Sequence, residues 1–244
     1  MDKQEMRAQE LGGTPVLKLT GVSKSYGNTE VLSNLNMTFP RGKVVGLLGP
    51  NGCGKTTLIK MICGLHQPTA GTITVNGVPV GPDTKAMISY LPERTYLPSD
   101  ISVNGLIGIF KDFFADFDLD RAVNLLETMG INRTARIKTL SKGTKEKVQL
   151  IMTMSRRSSL YILDEPIAGV DPAARDFILD TIFANKPQES TIILSTHLIY
   201  DIEPVLDDVI FLGRNGVIVG GAADELRAHY GKNIDQLFRE VYRV

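Results

Sequence analysis

The segment Gly49–Thr57, GPNGCGKTT, admits few backbone paths. Before it lies Val44–Leu48 (VVGLL), a continuous apolar run expected of a strand covered on both faces. After it, Thr56–Cys63 (TTLIKMIC) reads as a helix. Gly49, Gly52 and Gly54 let the connecting backbone curl, because glycine accepts positive φ and carries no side chain. Successive N–H groups then converge on one small volume, at the positive end of a helix, and that suits an anion. The spacing Gly49-x-x-x-x-Gly54-Lys55-Thr56 is that of a phosphate-binding loop. Lys55 supplies a point charge for β/γ phosphates, and the Thr56 hydroxyl can ligate Mg²⁺. A plain glycine-rich turn leaves the lysine and the two threonines after it unexplained.

With 244 residues the chain can bury a large core in a single domain with lobes. Lys+Arg and Asp+Glu each number 27, so no global basic field calls for nucleic acid. No apolar run approaches the roughly 20 residues needed to cross a bilayer. The N-terminus, MDKQEMRAQELGG, lacks the apolar core of a secretory signal, and residues 1–14 read as a flexible lead-in. Cys53 and Cys63 are the two cysteines; Cys53 lies inside the loop, which argues against a disulfide and fits a reducing cytoplasm.

Val16–Val22 predicts a strand, and the alternation of Leu35, Met37 and Phe39 a second. Between them sits SKSYG, ending in Tyr26 and Gly27; Tyr26 is either a strand-edge tyrosine or a surface for a nucleobase. Gly71–Val80 predicts a hairpin turning at Asn76-Gly77, and Ala86–Leu91 a strand. Between Ser99 and Gly130 the period becomes helical: Phe110, Phe113, Phe114 and Phe117, then Ala122, Leu125, Leu126 and Met129. Such stripes are core, or in part a groove for a partner's helix. Ser141 is a good N-cap for a helix running to Met154. Ser159–Leu163 and Thr191–Ser195 predict buried strands, Asp208–Gly220 a hairpin at Asn215-Gly216, and the tail a helix that is either packed on the core or a dimer contact. Alternating strands and helices indicate an α/β fold with a mostly parallel sheet.

Buried strands that end in charge are informative, because ligands of open α/β sheets sit beyond the strands' carboxyl ends. Asp164 ends one such run and can hold Mg²⁺; Glu165 follows and can polarise a water. His197 ends another and can meet a γ-phosphate, whereas His66 and His229 read as surface residues. The start of the Ser141 helix carries Lys142, Lys145 and Lys147 against the helix dipole, while Arg156 and Arg157 beyond its end suit it. That basic start is either a solvated face or a docking place for an anion. Cys53 is a small residue filling its loop or, beside Lys55 at a helix start, a reactive thiol.

In this order the motifs resemble the ATP-binding subunits of ABC transporters, over nearly the whole chain from Val16 onward. SKSYG ends in the aromatic that stacks on adenine, Tyr26. Gly49, Pro50, Asn51, Gly52, Cys53, Gly54, Lys55, Thr56 and Thr57 form the Walker A loop. Glu93 holds the Q-loop position, LSKGT (Leu140–Thr144) the signature, LYILDEP (Leu160–Pro166) Walker B, AGVD (Ala168–Asp171) the D-loop, and His197 the switch. The resemblance implies a P-loop NTPase (RecA-like) core with an antiparallel β subdomain and an α-helical subdomain at about 95–157. A C-terminal helix at about 232–243 would close one domain spanning 15–244. It implies ATP and Mg²⁺, the metal held by Thr56, Asp164 and Glu93, with Lys55, Glu165 and His197 catalytic. It also implies a head-to-tail dimer, with itself or a paralogue, in which Ser141, Gly143 and Asp171 reach the other copy's nucleotide. A separate membrane permease would dock near Glu93 and the helical insert, placing the chain on the inner face of the membrane.

Two motifs depart from the family pattern. Glu93 replaces glutamine, losing an amide donor and adding charge near phosphate. Lys142 and Thr144 replace glycine and glutamine; Lys142 either attracts phosphate or points to solvent. Such sequences resemble the ATPases of bacterial ABC-2-type exporters. Competing classes are a soluble ABC ATPase acting on ribosomes or DNA, and a GTPase, for which Asn185-Lys186-Pro187-Gln188 lacks the acid that reads guanine.

Overall fold

The computed structural model describes residues 15–168, 170, 172–214 and 216–243, apart from the side chains of 172–174. Two long strands, β1 (Pro15–Tyr26) and β2 (Thr29–Pro40), make the first hairpin. Ser23–Tyr26 of SKSYG therefore belong to β1, paired as far as Tyr26 with Thr29, and Gly27 opens the hairpin turn. A turn at Arg41-Gly42 leads into β3 (Val44–Leu48), followed by α1 (Lys55–Ile62). The hairpin β4 (Ala70–Val75) and β5 (Val78–Pro79) turns at Asn76 and Gly77, both left-handed. β6 (Ile88–Leu91) starts later than its apolar run suggests, after a 3₁₀ turn at Asp83–Ala86. Helices α2 (Val103–Phe113), α3 (Leu119–Thr128) and α4 (Lys142–Met154) follow. The chain then alternates β7 (Leu160–Asp164), α5 (Pro172–Ala184), β8 (Thr191–Ser195) and the short α6 (Ile199–Ile202). It ends with β9 (Asp208–Gly213), β10 (Gly216–Ala222), α7 (Ala223–Tyr230) and α8 (Ile234–Tyr242).

Among the described residues these strands form two sheets. One is antiparallel, in the order β2-β1-β4-β5. The other runs β10-β9-β3-β8-β7-β6 and is parallel except for β10. Its inner strands read as unbroken apolar runs because both faces are covered. Val45, Leu47, Ile162 and Ile193 pack toward α1 and the antiparallel sheet. Their alternating neighbours Leu48, Leu163, Ile192 and Leu194 pack toward α5, α7 and α8. The parallel register brings the ends of β3, β7 and β8 level, with Asp164 beside Ser195 and Ser195 beside Leu47. Everything charged that follows those ends therefore emerges at one edge.

Helices α2, α3 and α4 enclose a core of their own, including Leu106, Phe110, Leu126, Val148 and Ile151. The phenylalanine stripe is not one helix face. α2 ends at Phe113, whose side chain is 79% exposed, and the chain turns so that Phe114 and Phe117 pack on Phe110. Arg156 is not a helix-dipole partner either, for it is buried. Its guanidinium donates to Ile88 O (2.5 Å) and Ala86 O (2.8 Å), pairs with Asp116 (3.1 Å) and lies over the Phe114 ring. One planar fork thus ties the helical lobe to the edge strand β6, a geometry lysine does not match.

Candidate active site

The loop between β3 and α1 owes its path to contacts that only glycine allows. A Cβ on Gly49 would stand 2.4 Å from Leu212 O and 2.6 Å from Cys53 Sγ. Gly54 has φ 103°, and a Cβ there would press into Leu32 of β2. Lys55 folds back within this loop, its Nζ donating to Gly49 O (2.7 Å) and Pro50 O (3.3 Å).

A cleft of about 350 Å³ opens over the loop. Asn51, Gly52, Gly54, Lys55, Thr56 and Thr57 line it from the loop side. Glu93, Asp164, Glu165 and His197 face them from the ends of β6, β7 and β8, with Val31 and Ala168 completing the wall. Burial pushes the Asp164 carboxyl up, and the Ser195 hydroxyl and the Thr56 side chain oppose that shift by favouring the charged form. Ser195 Oγ donates to Asp164 Oδ1 at 2.6 Å, while the buried Oδ2 has no hydrogen-bond partner among the described residues. An acceptor left over beside the Thr56 hydroxyl suits a divalent cation that takes only oxygen ligands.

Glu165 has a backbone that residue type does not predict. Its φ is 53°, left-handed, which costs a non-glycine residue free energy. The turn is held by its N–H, shared between Ser195 O (2.9 Å) and Ser195 Oγ (3.2 Å). His197 Nδ1 lies 3.0 Å from Glu165 Oε2; the carboxylate accepts, so Nδ1 donates, and Nε2 accepts from a water in the neutral ring and donates to a substrate oxygen only in the doubly protonated ring. The cleft therefore assembles a cation, a metal-type carboxylate and a carboxylate–histidine pair around one anion-binding loop.

The other candidates lie elsewhere. Tyr26 is at the tip of the first hairpin, 45% exposed. Ser141 caps α4, its Oγ accepting from Thr144 N at 3.1 Å, and neither it nor Gly143 lines the cleft. Lys142 is exposed and loosely paired with Glu146 at 3.9 Å. Asp171, with Gly169 and the turn residue Asn215, lies outside the described residues. Cys53 is 2% exposed under the loop, and burial pushes its thiol up, against the reactive-thiol reading. His66 is half-buried and within 2.7 Å of the Tyr26 hydroxyl, not a lone surface residue.

Residue-by-residue reading missed two supports. Ser195 braces both Asp164 and Glu165, and its place at the end of β8, one residue before Thr196-His197, was the available signal. Gln149, buried on α4, accepts from Tyr96 N (3.2 Å) and donates to Pro92 O (3.5 Å), so it spans the segment that carries Glu93. No local pattern marks it.

The chain matches the ABC transporter family over residues 32–168. Nod factor export ATP-binding protein I of Mesorhizobium japonicum is 34% identical over 235 residues, 92% of this chain and 69% of that protein. The solved structure of an ATP binding subunit of an ABC transporter superposes with TM-score 0.85 at 29% identity, covering 93% of this chain and 99% of that one. The structure of cbiO1 from Clostridium perfringens, described as part of the ABC transporter complex cbiONQ, gives TM-score 0.74 at 27% identity over 88% and 92%. Together with the phosphate-loop cleft, these likenesses establish that the chain belongs to the ABC transporter family, as one of its ATP-binding, ATP-hydrolysing subunits.

Proposed function

We propose that two copies of this subunit, or this one and a paralogue, clamp two ATP molecules head to tail. The observation that carries the reading is a separation. The phosphate-loop cleft holds Lys55, Asp164, Glu165 and His197, yet the capped start of α4 at Ser141 stays exposed and away from that lining. A second copy would bring its Ser141 and Gly143 N–H to the γ-phosphate. The roles divide as follows. Tyr26 stacks on adenine. The backbone of Gly49–Thr57 and Lys55 hold the phosphates. Glu165 takes a proton from the attacking water, with His197 orienting it and meeting the γ-phosphate. Mg²⁺, held by Thr56, Asp164 and Glu93, would neutralise charge on the β/γ oxygens. Asp171 belongs to the same interface by family resemblance.

Residues 15–244 act as one ATP-binding domain whose helical part, about 95–157, receives the permease. A groove of about 280 Å³ lined by Leu65, Tyr90, Tyr96, Phe110, Phe114 and Arg156 supports that docking, being apolar and next to the Glu93 segment. Among the described residues no helix is long and apolar enough to cross a membrane; the reading assigns the pore to a separate permease. The cbiO1 neighbour is described as part of a transporter complex, which supports a peripheral place on the cytoplasmic face. Export is supported by the likeness to the Nod factor export protein.

The clamp has a direct test. With ATP, Glu165→Gln is expected to migrate as a dimer in size-exclusion chromatography. Adding Ser141→Asp keeps a good N-cap but sets a carboxylate against phosphate, and is expected to return the protein to monomer with ATP still bound. A dimer indifferent to Ser141→Asp would overturn the head-to-tail arrangement.

A further inference from the structure

We propose that His66 and Lys24 preset Tyr26 as the platform for a purine base, so that His66 is a positioning residue for nucleotide binding. The inference rests on the reading of Tyr26 as the base-stacking residue, and it names what holds that residue ready.

Two side chains converge on Tyr26. The Tyr26 hydroxyl is 2.7 Å from His66 Nδ1, and the two rings meet edge to face at 6.1 Å. The Lys24 ammonium lies 5.0 Å from the Tyr26 centroid. That ammonium is itself held, donating to Gln67 O at 2.7 Å. The segment that supplies His66 and Gln67 is stitched to β1 by Thr69 N to Ser23 O (2.8 Å) and by Ser25 N to Thr69 Oγ1 (3.0 Å). It is also fixed to the end of α1, where Leu65 N and His66 N both donate to Lys60 O. The ring still keeps 45% of its surface exposed.

Each contact has a consequence for binding. A free tyrosine at a hairpin tip samples several rotamers, and stacking a base must freeze one. Here the hydrogen bond removes that freedom beforehand, so less is lost on binding. A cation against the ring draws π density toward itself, leaving the opposite face better suited to an electron-rich purine. The platform is also registered to the phosphate loop. Val31, close to the hairpin tip on β2, lines the cleft and touches the position of Gly54, while His66 follows the helix that Lys55 begins. Base and phosphates are thus held from one framework.

The alternative is a staple that merely secures the hairpin tip. The test is calorimetric titration of the full chain with ATP and, separately, with inorganic tripolyphosphate, which has no base. His66→Leu is expected to weaken ATP binding about five- to tenfold and leave tripolyphosphate within about twofold. Tyr26→Phe should do the same, and the double variant should be no worse than either, because both remove one hydrogen bond. His66→Asn, whose amide can stand near the Nδ1 position, should restore most of the affinity. Equal weakening of both ligands, no weakening of ATP, or additive losses in the double variant would overturn the inference. Tyr26→Ala separates the layers. If it weakens ATP alone while His66→Leu does not, only the role of His66 falls. If it leaves ATP untouched, the base-stacking reading of Tyr26 falls and takes this inference with it.

Discussion

Glu165→Gln is expected to bind ATP like the native chain and to turn it over about 10²–10⁴-fold more slowly. The amide has the shape of the carboxylate. Its oxygen can still accept from His197 Nδ1, which sits 3.0 Å from Oε2, and its backbone meets the same bracing from Ser195. What it cannot do is take a proton from water. The predicted split is therefore in kcat and not in affinity, read as phosphate release at saturating ATP beside an equilibrium titration. Turnover close to native would mean that the proton leaves by another route and that Glu165 serves only to position.

Lys55→Ala is expected to act on affinity itself, weakening ATP about 10²-fold, the scale of losing a charge-assisted contact to phosphate. The side chain is mostly buried, and its ammonium is already aimed at the loop by Gly49 O and Pro50 O. Removing it takes away the only lysine or arginine among the described residues lining the cleft. Lys55→Met restores the apolar stem without the charge, so equal losses in the two variants assign the effect to charge and not to packing. An unchanged dissociation constant in both would refute the phosphate role of Lys55. Tripolyphosphate should suffer as much as ATP, the reverse of the pattern expected at His66.

What the sequence made legible was what local pattern controls. Val44–Leu48 and Thr191–Ser195 were readable because a strand covered on both faces must be apolar throughout. The α4 limits followed from a serine cap and a helical period up to Met154. The cleft residues were readable because charge directly after a buried strand has one place to go. What escaped was decided by distant partners. Phe113 and Phe117 fit a helical stripe, yet the helix stops where Phe110 can gather Phe114 and Phe117 around itself. Arg156 looked like a charge after a helix until Asp116 and the carbonyls of Ala86 and Ile88, one before β6 and one in it, came into reach. Cys53 stood beside Lys55 in the chain, but its thiol is turned under Gly49, where burial outweighs the neighbouring cation. Gln149, Ser195 and His66 matter through groups 30 or more residues away, which no local window contains.

The left-handed backbone at Glu165 carries a consequence for heredity as well as for chemistry. Glycine would sit there without the penalty of about 1 kcal/mol that an L side chain bears. A lineage released from the need to hydrolyse ATP would thus find a more heat-resistant protein one codon away, and a melting curve of Glu165→Gly running above that of the native chain would reveal it. Keeping an acid in that bend is what selection for work, and not for durability, leaves behind.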